Sequence, residues 1–373
     1  MPGAVLRKMM LVAGGTGGHI LPAITFGDWL RREKPNVTIE YMSGSRPIER
    51  EIYRASNIEP FAIGITGSPA GIKGVRSLRR WADLMNGILE AGRILKNFSP
   101  DACVMFGGYA SVPALVSGRV KGIYSILHEQ NALAGRVTRL ASKLGVKIAS
   151  GWENCEGLKR SRYTPVGVPI RHMPFMPKAT AWNALGVRPY IGNGPVVSVM
   201  TGSLGSEGMA NILIELTQSE RLASWFFLLL DPETETPHSA GNIAHVPHMW
   251  DISPLYCVSD MLITRGGAST LTEAIAMRKP TVVIPWRGAA DDHQMKNAHE
   301  ALAVSGDMTI VWDERGGLLS ELVLKLEHLY DKYIRKNGRT ANLLYNSGET
   351  AETNCRRLWN YVSNYRKGEV DVD

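Results

Sequence analysis

The chain has 373 residues, 44% hydrophobic and 21% charged, without a low-complexity tract or internal repeat, which excludes a disordered or fibrous protein. One domain usually has ~100 to 200 residues, so this length predicts two domains with a cleft between them. The net charge of +7 is uneven, because residues 1–170 carry 23 Lys and Arg against 12 Asp and Glu. The first half therefore either binds an anionic partner, such as a lipid surface or nucleic acid, or has a solvated basic surface.

The cysteines are widely spaced and form no CxxC pair: Cys103, Cys155, Cys257 and Cys355. With no cleavable leader in the sequence, this usage predicts a reduced, cytoplasmic compartment. No apolar run approaches the ~18 residues that would span a bilayer. Any membrane contact is therefore expected to be peripheral.

Short apolar runs alternate with amphipathic segments from Met9 onward, a pattern typical of parallel βαβ units. The predicted strands of the first half are MMLVA, VTIEYM, ACVMF and YSIL, and the predicted helices cover 20–33, 77–97, 110–119 and 132–144. Four prolines between 164 and 178 disfavour both helix and central strand there. They predict a linker over 166–178 that ends a first domain of residues 1–165.

A second alternation follows the linker. Its predicted strands are VVSVM, FFLLL, MLITR and TVVIP, and its predicted helices lie near 206–218, 268–277 and 292–304. Residues 316–365 are largely helical by pattern. The predicted fold class is α/β, with two Rossmann-like, doubly wound parallel-sheet domains facing a cleft. The second domain covers 179–345, and a C-terminal helix within 346–373 is expected to pack back on the first domain.

A glycine loop, GGTGGH at 14–19, follows the first predicted strand and precedes a helix. Its glycines let the backbone approach an anion, which the helix N-terminus also favours. The loop lacks the GK[ST] of a P-loop. His19 at its end either accepts a proton from a sugar hydroxyl at neutral pH or caps the helix.

Two further loops of the first half, FGGYASVP at 106–113 and HEQNALAGR at 128–136, also follow predicted strands. Their hydrogen-bonding side chains suit carbohydrate or peptide better than DNA phosphate, and the alternative is that they hold the loops themselves together. These side chains belong to Tyr109, His128, Glu129, Gln130 and Asn131.

The second half has its own glycine-containing loops. In MTGSLGSEG at 200–208, Gly202, Ser203 and Gly205 either cradle a diphosphate or form a plain turn. At 264–286, two glycines open a helix that carries Ser269, Thr270 and Glu273, and the glutamate either accepts ribose hydroxyls or caps the helix. In DDHQMKNA, Gln294 and Asn297 either read sugar hydroxyls or begin a helix.

The segment 67–84 interleaves apolar and basic side chains, and its apolar residues fall close to one helical face. It is either a patch that binds anionic lipid or a buried face with solvated arginines. The patch consists of Ile72, Lys73, Val75, Arg76, Leu78, Arg79, Arg80 and Trp81.

Taken together, GGTGGH, FGGY, HEQNALAG and the GGAST-LTEAIA-P-VVIP run resemble the MurG family over about residues 8–310. The resemblance implies a GT-B fold whose first domain binds a polyprenyl-diphosphate-linked muramoyl-peptide acceptor and whose second binds UDP-N-acetylglucosamine. It implies inverting transfer of N-acetylglucosamine to the C4 hydroxyl of the muramoyl sugar of lipid I, which forms lipid II in peptidoglycan synthesis. The enzyme would lie peripherally on the cytoplasmic face of the membrane, against an anionic lipid surface. Its expected partners include cell-wall synthesis proteins but no nucleic acid.

The resemblance also implies the roles of single residues. His19 is the base; no cofactor or metal is required, because backbone N–H groups, a helix dipole and Arg171 stabilise the leaving diphosphate. The donor-binding residues are Thr16, Gly17, Gly18, Arg171, Gly202, Ser203, Gly205, Trp250, Ser269, Thr270, Leu271, Glu273, Gln294 and Asn297. The acceptor-binding residues are Gly15, Tyr109, His128, Glu129, Gln130 and Asn131.

Three departures from the family pattern lie in or near the donor half: TGSLGS replaces GGSQGA, Val168 replaces an Asn, and FFLLLDPETETP replaces a segment with His-Gln-x-Gly. They leave open another GT-B transferase or an epimerase acting on a UDP-sugar. A non-catalytic membrane scaffold that binds a nucleotide-sugar is the alternative from a different class.

Overall fold

The computed structural model describes residues 6–65, 67, 75–174, 176–201, 207–335 and 347–365. The chain divides into two compact units. Unit 1 comprises Met1–Arg171 together with Ala351–Asp373, and unit 2 comprises His172–Thr350.

Unit 1 is built on one sheet of seven parallel strands. The strands are β1 (Lys8–Val12), β2 (Thr38–Ser43), β3 (Phe61–Ala62), β4 (Ala102–Met105), β5 (Tyr124–Glu129), β6 (Lys147–Ser150) and β7 (Tyr163–Pro165). The helices between them are α1 (Gly17–Glu33), α2 (Pro47–Ala55), α3 (Val75–Phe98), α4 (Ser111–Val120) and α5 (Arg136–Lys143). The strand order is β3-β2-β1-β4-β5-β6-β7, with Met9 beside both Ile39 and Ala102.

The inner strands β1 and β4 of this sheet are apolar because both faces of the sheet are buried there, as in other parallel sheets covered by helices. All four residues of β4 are buried, as are the last four of β1. The strand order reverses between β1 and β4, and ligands of doubly wound sheets bind outside the carboxyl ends of the strands at such a point. The fold therefore directs attention to the loops that follow β1, β4 and β5.

Unit 2 has a second seven-stranded sheet. Its strands are β8 (Val196–Met200), β9 (Phe226–Asp231), β10 (His238–Ala240), β11 (Ile243–Pro247), β12 (Met261–Thr264), β13 (Thr281–Val283) and β14 (Thr309–Val311). Its helices are α6 (Lys178–Leu185), α7 (Glu207–Thr217), α8 (Ser253–Val258), α9 (Ala268–Ala276), α10 (His293–Ser305) and α11 (Leu319–Leu329), the last followed by a π-helical turn over Tyr330–Arg335. The order is β10-β11-β9-β8-β12-β13-β14, parallel except for β10 against β11, and it reverses between β8 and β12.

The predicted strands and helices of both halves are confirmed at their approximate bounds. Sequence analysis missed α2, α6 and α8, together with β3, β6, β7, β10, β11 and β14. These strands have five residues or fewer, and the three helices have at most nine. Such short elements show too few periods of a hydrophobic pattern to be recognised.

On both sides of the unit boundary after Arg171, the described residues from 166 to 177 form neither helix nor strand, as expected where Pro169, Pro174 and Pro177 remove backbone donors. The segment is nevertheless packed, because Val166, Val168, Ile170 and Met173 are buried.

Helix α12 (Ser347–Tyr365) belongs to unit 1 from Ala351 onward, although unit 2 separates it in sequence from the rest of unit 1. The indole of Trp29 donates to Glu352 at 2.8 Å, and Arg32 pairs with the same carboxylate at 2.7 Å. Farther along the helix, the hydroxyl of Tyr361 donates to the carbonyl of Ile148 at 3.3 Å. The buried face of α12 carries Ala351, Asn354, Cys355, Leu358 and Val362.

Candidate active site

Helix α2 holds the glycine loop that follows β1. The backbone nitrogen of Gly15 donates to Glu49 Oε1 at 2.5 Å, and the guanidinium of Arg46 donates to the carbonyl of Gly15 at 3.4 Å. The hydroxyl of Tyr53 donates to the carbonyl of Ala13 at 3.1 Å. Glu49 is buried, and its other oxygen accepts the backbone nitrogen of Arg46 at 2.9 Å. Three side chains therefore fix a loop whose glycines could otherwise take many conformations.

The loop after β4 packs tightly against the glycine loop. Gly107 and Gly108 have φ of +87° and +73°, a region that other residues rarely adopt. A Cβ on Gly108 would overlap the carbonyl of Gly14, and one on Gly107 would lie 3.1 Å from His19 Nδ1. The hydroxyl of Ser111 donates to the Gly107 carbonyl at 2.6 Å. The FGGY glycines therefore leave room for the His19 ring.

His19 lies at one end of a series of hydrogen-bonded side chains that runs through the loop after β5. His19 Nδ1 lies 3.0 Å from Gln130 Oε1, and Gln130 Nε2 lies 3.1 Å from His128 Nδ1. His128 Nε2 lies 2.9 Å from the carbonyl of Gly167. His128 is fully buried, and burial lowers the pKa of its imidazole to about 4. It is therefore neutral at pH 7.

Glu129 and Asn131 hold the same loop together. Glu129 Oε1 accepts the backbone nitrogen of Asn131 at 3.0 Å and its side-chain nitrogen at 3.2 Å. Glu129 Oε2 accepts the backbone nitrogen of Gly135 at 2.9 Å and the hydroxyl of Thr138. Of the two roles that the sequence left open for the buried Glu129, loop support is the one that these contacts serve.

Tyr109 follows Gly108 and packs against the core of unit 1. Burial raises the pKa of its phenol, an effect that the nearby charge of Arg80 opposes. Its hydroxyl oxygen is buried and finds no hydrogen-bond partner among the residues that the structure describes.

In unit 2, helix α9 begins after β12, beside the reversal of strand order. Gly267 is its N-cap, and Ser269 and Thr270 lie in its first turn, where backbone N–H groups favour an anion. Within the described ranges the buried hydroxyl oxygen of Ser269 has no partner. Glu273 is buried one turn later and accepts the hydroxyl of Tyr256 at 3.2 Å, and Leu271 is buried beside it.

Gln294 and Asn297 of α10 both bind the backbone of Gly266. Gln294 Oε1 accepts the backbone nitrogens of Gly266 at 3.1 Å and Trp286 at 2.9 Å. Asn297 Nδ2 donates to the carbonyl of Gly266 at 2.9 Å. Asn297 is fully buried, and in this structure its side chain supports the loop backbone; the sugar contact expected from the sequence stays a prediction. The partly exposed Gln294 could still offer its amide nitrogen to a ligand.

The remaining predicted donor residues are spread over both units. Thr16 is the N-cap of α1, whose first residues are Gly17 and Gly18. Trp250 packs edge-on against His248, with ring centroids 4.7 Å apart, and Arg171 is the partly buried last residue of the first segment of unit 1. Gly202, Ser203 and Gly205 lie outside the described residues.

The predicted lipid-binding patch is described only in part. Ile72 and Lys73 lie outside the described residues, and Val75, Arg76 and Leu78 are described by their backbone alone, in the first turn of α3. Arg79 is exposed, and Arg80 is partly buried. Trp81 is 52% exposed, and Met85 and Leu89, one and two turns later, are 56% and 58% exposed. Exposed apolar side chains therefore continue two turns beyond the predicted segment.

The residues that the structure describes contain no group of three or more His, Cys, Asp or Glu side chains arranged to hold a metal ion. None of their helices is both long and apolar enough to cross a bilayer.

Sequence analysis did not single out Glu49, Arg46, Gly167 or Asn354. Asn354 Nδ2 donates to the carbonyl of Val168 at 2.9 Å, next to the Gly167 carbonyl that His128 contacts. A signal for Glu49 exists in the Arg-Pro-Ile-Glu run, because a proline starts the helix and a glutamate three residues after the N-cap closes a capping box. The N-cap is Arg instead of Ser or Thr, so the run escapes the usual pattern.

Comparisons with known proteins match both halves of the chain to one family. Residues 9–150 match the glycosyltransferase family 28 N-terminal domain, and residues 196–344 match the glycosyltransferase family 28 C-terminal domain. The crystal structure of Acinetobacter baumannii MurG superposes with a TM-score of 0.68 at 20% identity, covering 96% of this chain and 99% of that one. The expected GT-B fold of two parallel-sheet domains is thereby confirmed.

Sequence relatives with the name UDP-N-acetylglucosamine–N-acetylmuramyl-(pentapeptide) pyrophosphoryl-undecaprenol N-acetylglucosamine transferase include proteins from Pseudomonas fluorescens and Desulforudis audaxviator. The one from Pseudomonas fluorescens is 31% identical over 308 residues, 80% of this chain and 83% of the relative. The one from Desulforudis audaxviator is 27% identical over 332 residues, 82% of this chain and 85% of the relative. The chain therefore belongs to glycosyltransferase family 28, within the MurG family of N-acetylglucosamine transferases.

Proposed function

We propose that this enzyme transfers N-acetylglucosamine from UDP-N-acetylglucosamine to the C4 hydroxyl of the muramoyl sugar of lipid I, with inversion at the anomeric carbon. The names of its relatives support the donor and the polyprenyl-linked acceptor. The observation that carries the mechanism is the hydrogen bond between His19 Nδ1 and Gln130 Oε1 at 3.0 Å. It occupies one ring nitrogen and leaves the other for the acceptor hydroxyl.

In the proposed reaction the C4 oxygen forms a bond to the anomeric carbon while the bond from that carbon to the diphosphate oxygen breaks. The electron pair of the broken bond leaves with UDP, and the hydroxyl proton passes to His19 Nε2. Attack from the face opposite the leaving group gives a β-1,4 linkage. General-base assistance of this kind contributes ~10² to 10⁴ in rate.

The donor is proposed to bind unit 2 beside the start of α9. The backbone N–H groups and the Ser269 hydroxyl there suit a diphosphate, and together with Arg171 they would stabilise its charge as it leaves, without a metal. Glu273, one turn along the helix, is the proposed ribose ligand. The amide nitrogen of Gln294 is the proposed sugar contact, since its oxygen is used by two backbone donors.

Unit 1 is proposed to meet the cytoplasmic face of the membrane through α3. Trp81, Met85 and Leu89 lie at four-residue spacing and are all more than half exposed, and Arg79 and Arg93 lie among the exposed residues of the same helix. An amphipathic helix with flanking cations suits an anionic lipid surface. This placement would bring the glycine loop near a polyprenyl-linked acceptor.

An assay with radiolabelled UDP-N-acetylglucosamine and a lipid I analogue tests the function. We expect a labelled lipid product with a β-1,4 linkage, and no epimerised sugar when the donor is incubated alone. If UDP binds but no lipid product forms, the proposal is wrong. Epimerised UDP-sugar without transfer would instead support the epimerase alternative.

A further inference from the structure

We propose that Gln130, His128 and the Gly167 carbonyl form a one-directional hydrogen-bond chain that holds His19 as its Nδ1–H tautomer. The inference rests on the proposed function, in which His19 is the base. It assigns Gln130 and His128, expected from the sequence to contact the acceptor, a positioning role instead. It also adds Gly167 and Asn354 to the groups that determine the state of the base.

The direction of the chain is determined at its buried end. The Gly167 carbonyl can only accept, so His128 Nε2, 2.9 Å away, must donate. His128 is fully buried and neutral at pH 7, because burial lowers its pKa to about 4. A neutral imidazole has one N–H group, so His128 Nδ1 is left with a lone pair and can only accept.

The orientation of the Gln130 amide follows from this lone pair. Gln130 Nε2 lies 3.1 Å from His128 Nδ1 and 3.2 Å from the backbone carbonyl of His128, both of them acceptors. Only the amide nitrogen, with its two hydrogens, can satisfy both. The reversed amide would bring its oxygen against two lone pairs, so Gln130 Oε1 must face His19.

His19 Nδ1 therefore donates to Gln130 Oε1 across 3.0 Å. A ring with one N–H then carries its lone pair on Nε2, which contacts no hydrogen-bonding group among the residues that the structure describes. In water the Nε2–H form of the neutral histidine side chain is the more populated. The hydrogen-bond chain thus selects the Nδ1–H tautomer, which free histidine disfavours. In this tautomer Nε2 can take a proton.

Helix α12 supports the Gly167 end of this hydrogen-bond chain. Gly167 has φ of +84°, and the Asn354 side chain fills the place that a Cβ at Gly167 would occupy. Asn354 Nδ2 donates to the Val168 carbonyl at 2.9 Å, so the backbone that carries the acceptor for His128 is tied to α12. The other groups near His128 are the ring of Phe106, 5.5 Å away, the charge of Glu129 and His19 itself.

Nuclear magnetic resonance of the ¹⁵N-histidine-labelled full chain tests the tautomer without an activity assay. Long-range ¹H–¹⁵N correlation above pH 7 distinguishes a protonated from an unprotonated ring nitrogen, and loss of one signal set in His19→Gln identifies His19. We expect His19 to carry its proton on Nδ1. A His19 with its proton on Nε2 would overturn the proposal.

Variants of Gln130 test the chain itself. In Gln130→Leu we expect the proton of His19 to move largely to Nε2, and kcat to fall by ~10-fold or more with KM for UDP-N-acetylglucosamine little changed. In Gln130→Glu, which accepts from both sides, His19 should keep its Nδ1–H while His128 gains a proton on Nδ1. An unchanged His19 spectrum in Gln130→Leu would refute the chain.

A matched control is Ser117→Ala, which removes a buried hydrogen bond to the Ile88 carbonyl of 2.7 Å elsewhere in unit 1. It should leave both the His19 spectrum and kcat unchanged. The hydrogen-bond chain and the role of His19 as base can fail separately. If Gln130→Leu shifts the tautomer but His19→Ala keeps full turnover, the hydrogen-bond chain is supported and His19 is not the base. If His19→Ala abolishes turnover but Gln130→Leu leaves the His19 tautomer unchanged, His19 is supported as the base and the hydrogen-bond chain is refuted.

Discussion

The carboxylate of Glu49 and the backbone nitrogen of Gly15 lie 2.5 Å apart, although 34 residues separate them in the chain. The second carboxylate oxygen accepts the backbone nitrogen of Arg46, so one buried side chain joins the start of α2 to the glycine loop. The loop leads directly into α1, which carries His19 in its first turn. The position of the proposed base therefore depends on a buried carboxylate of α2.

Glu49→Gln should weaken the link between α2 and the glycine loop while keeping the shape of the side chain. A glutamine has one acceptor oxygen for two backbone donors, and its amide nitrogen would face one of them. We expect a loss of about 1 to 3 kcal/mol in the free energy of unfolding and a lower kcat/KM. Urea unfolding and steady-state kinetics measure both. Glu51→Gln, on an exposed position of the same helix, is the control, and equal behaviour of the two variants would contradict the prediction.

His19→Ala should lower turnover by ~10² or more, because it removes the acceptor for the hydroxyl proton. UDP affinity, measured by calorimetry, should be nearly unchanged. His328→Ala removes an exposed imidazole from α11 and should have no effect on turnover. Unchanged turnover in His19→Ala would remove His19 from the role of base.

Stability should fall in acid because His128 is buried as a neutral ring. Its pKa is about 4 in the folded protein and ~6.5 unfolded, so between these values only the unfolded chain takes up a proton. The contribution is complete above pH 6.5 and is lost toward pH 4, in total by about 3 kcal/mol.

The comparison that isolates this effect is wild type against His128→Asn in urea unfolding at pH 7, 6, 5 and 4. The variant should be less stable at pH 7, and its deficit should shrink as the pH falls, since it has no buried imidazole to protonate. Because both proteins share every other titrating group, a deficit that stays constant across this range would contradict the assignment.

Asn297→Ala should affect folding stability before it affects donor recognition. It leaves the buried Gly266 carbonyl without the donor that now lies 2.9 Å away, at an expected cost of about 1 to 3 kcal/mol. KM for UDP-N-acetylglucosamine should change less than in Gln294→Ala. His299→Ala, on an exposed position of α10, serves as the control for stability. A selective rise in KM with unchanged stability would support the direct sugar contact expected from the sequence.

Replacing Trp81, Met85 and Leu89 with Ser should release the protein from anionic vesicles in a pelleting assay. These side chains supply exposed apolar area that a lipid surface would cover. Val120→Ser, which alters a side chain of unit 1 that is 82% exposed, should leave pelleting intact. If the triple variant still pellets like wild type, α3 is not the membrane-binding surface.

The sequence predicted those parts of the fold and site that local patterns encode. Long apolar runs predict β1 and β4 because both faces of these strands are buried, and the glycine pairs predict where loops come close. Asn354 was missed because its partner lies 186 residues away, and no hydrophobic periodicity indicates such a contact. Glu49 was missed because the N-cap of its capping box is Arg, and its contact with Gly15 spans 34 residues. The hydrogen bond between Asn297 and the Gly266 carbonyl was not predicted either, since it follows from tertiary packing alone.

The attachment of α12 to unit 1 has a consequence for biosynthesis. About 180 residues of unit 2 are translated between Arg171 and α12. Translation adds about 5 to 20 residues per second. The surface of unit 1 that Leu358 and Val362 cover in the folded protein therefore stays uncovered for roughly 10 to 35 s while the ribosome makes unit 2. Unit 2 can fold during that interval, whereas unit 1 exposes an unfinished apolar surface, which makes this half the expected client of chaperones bound to the nascent chain.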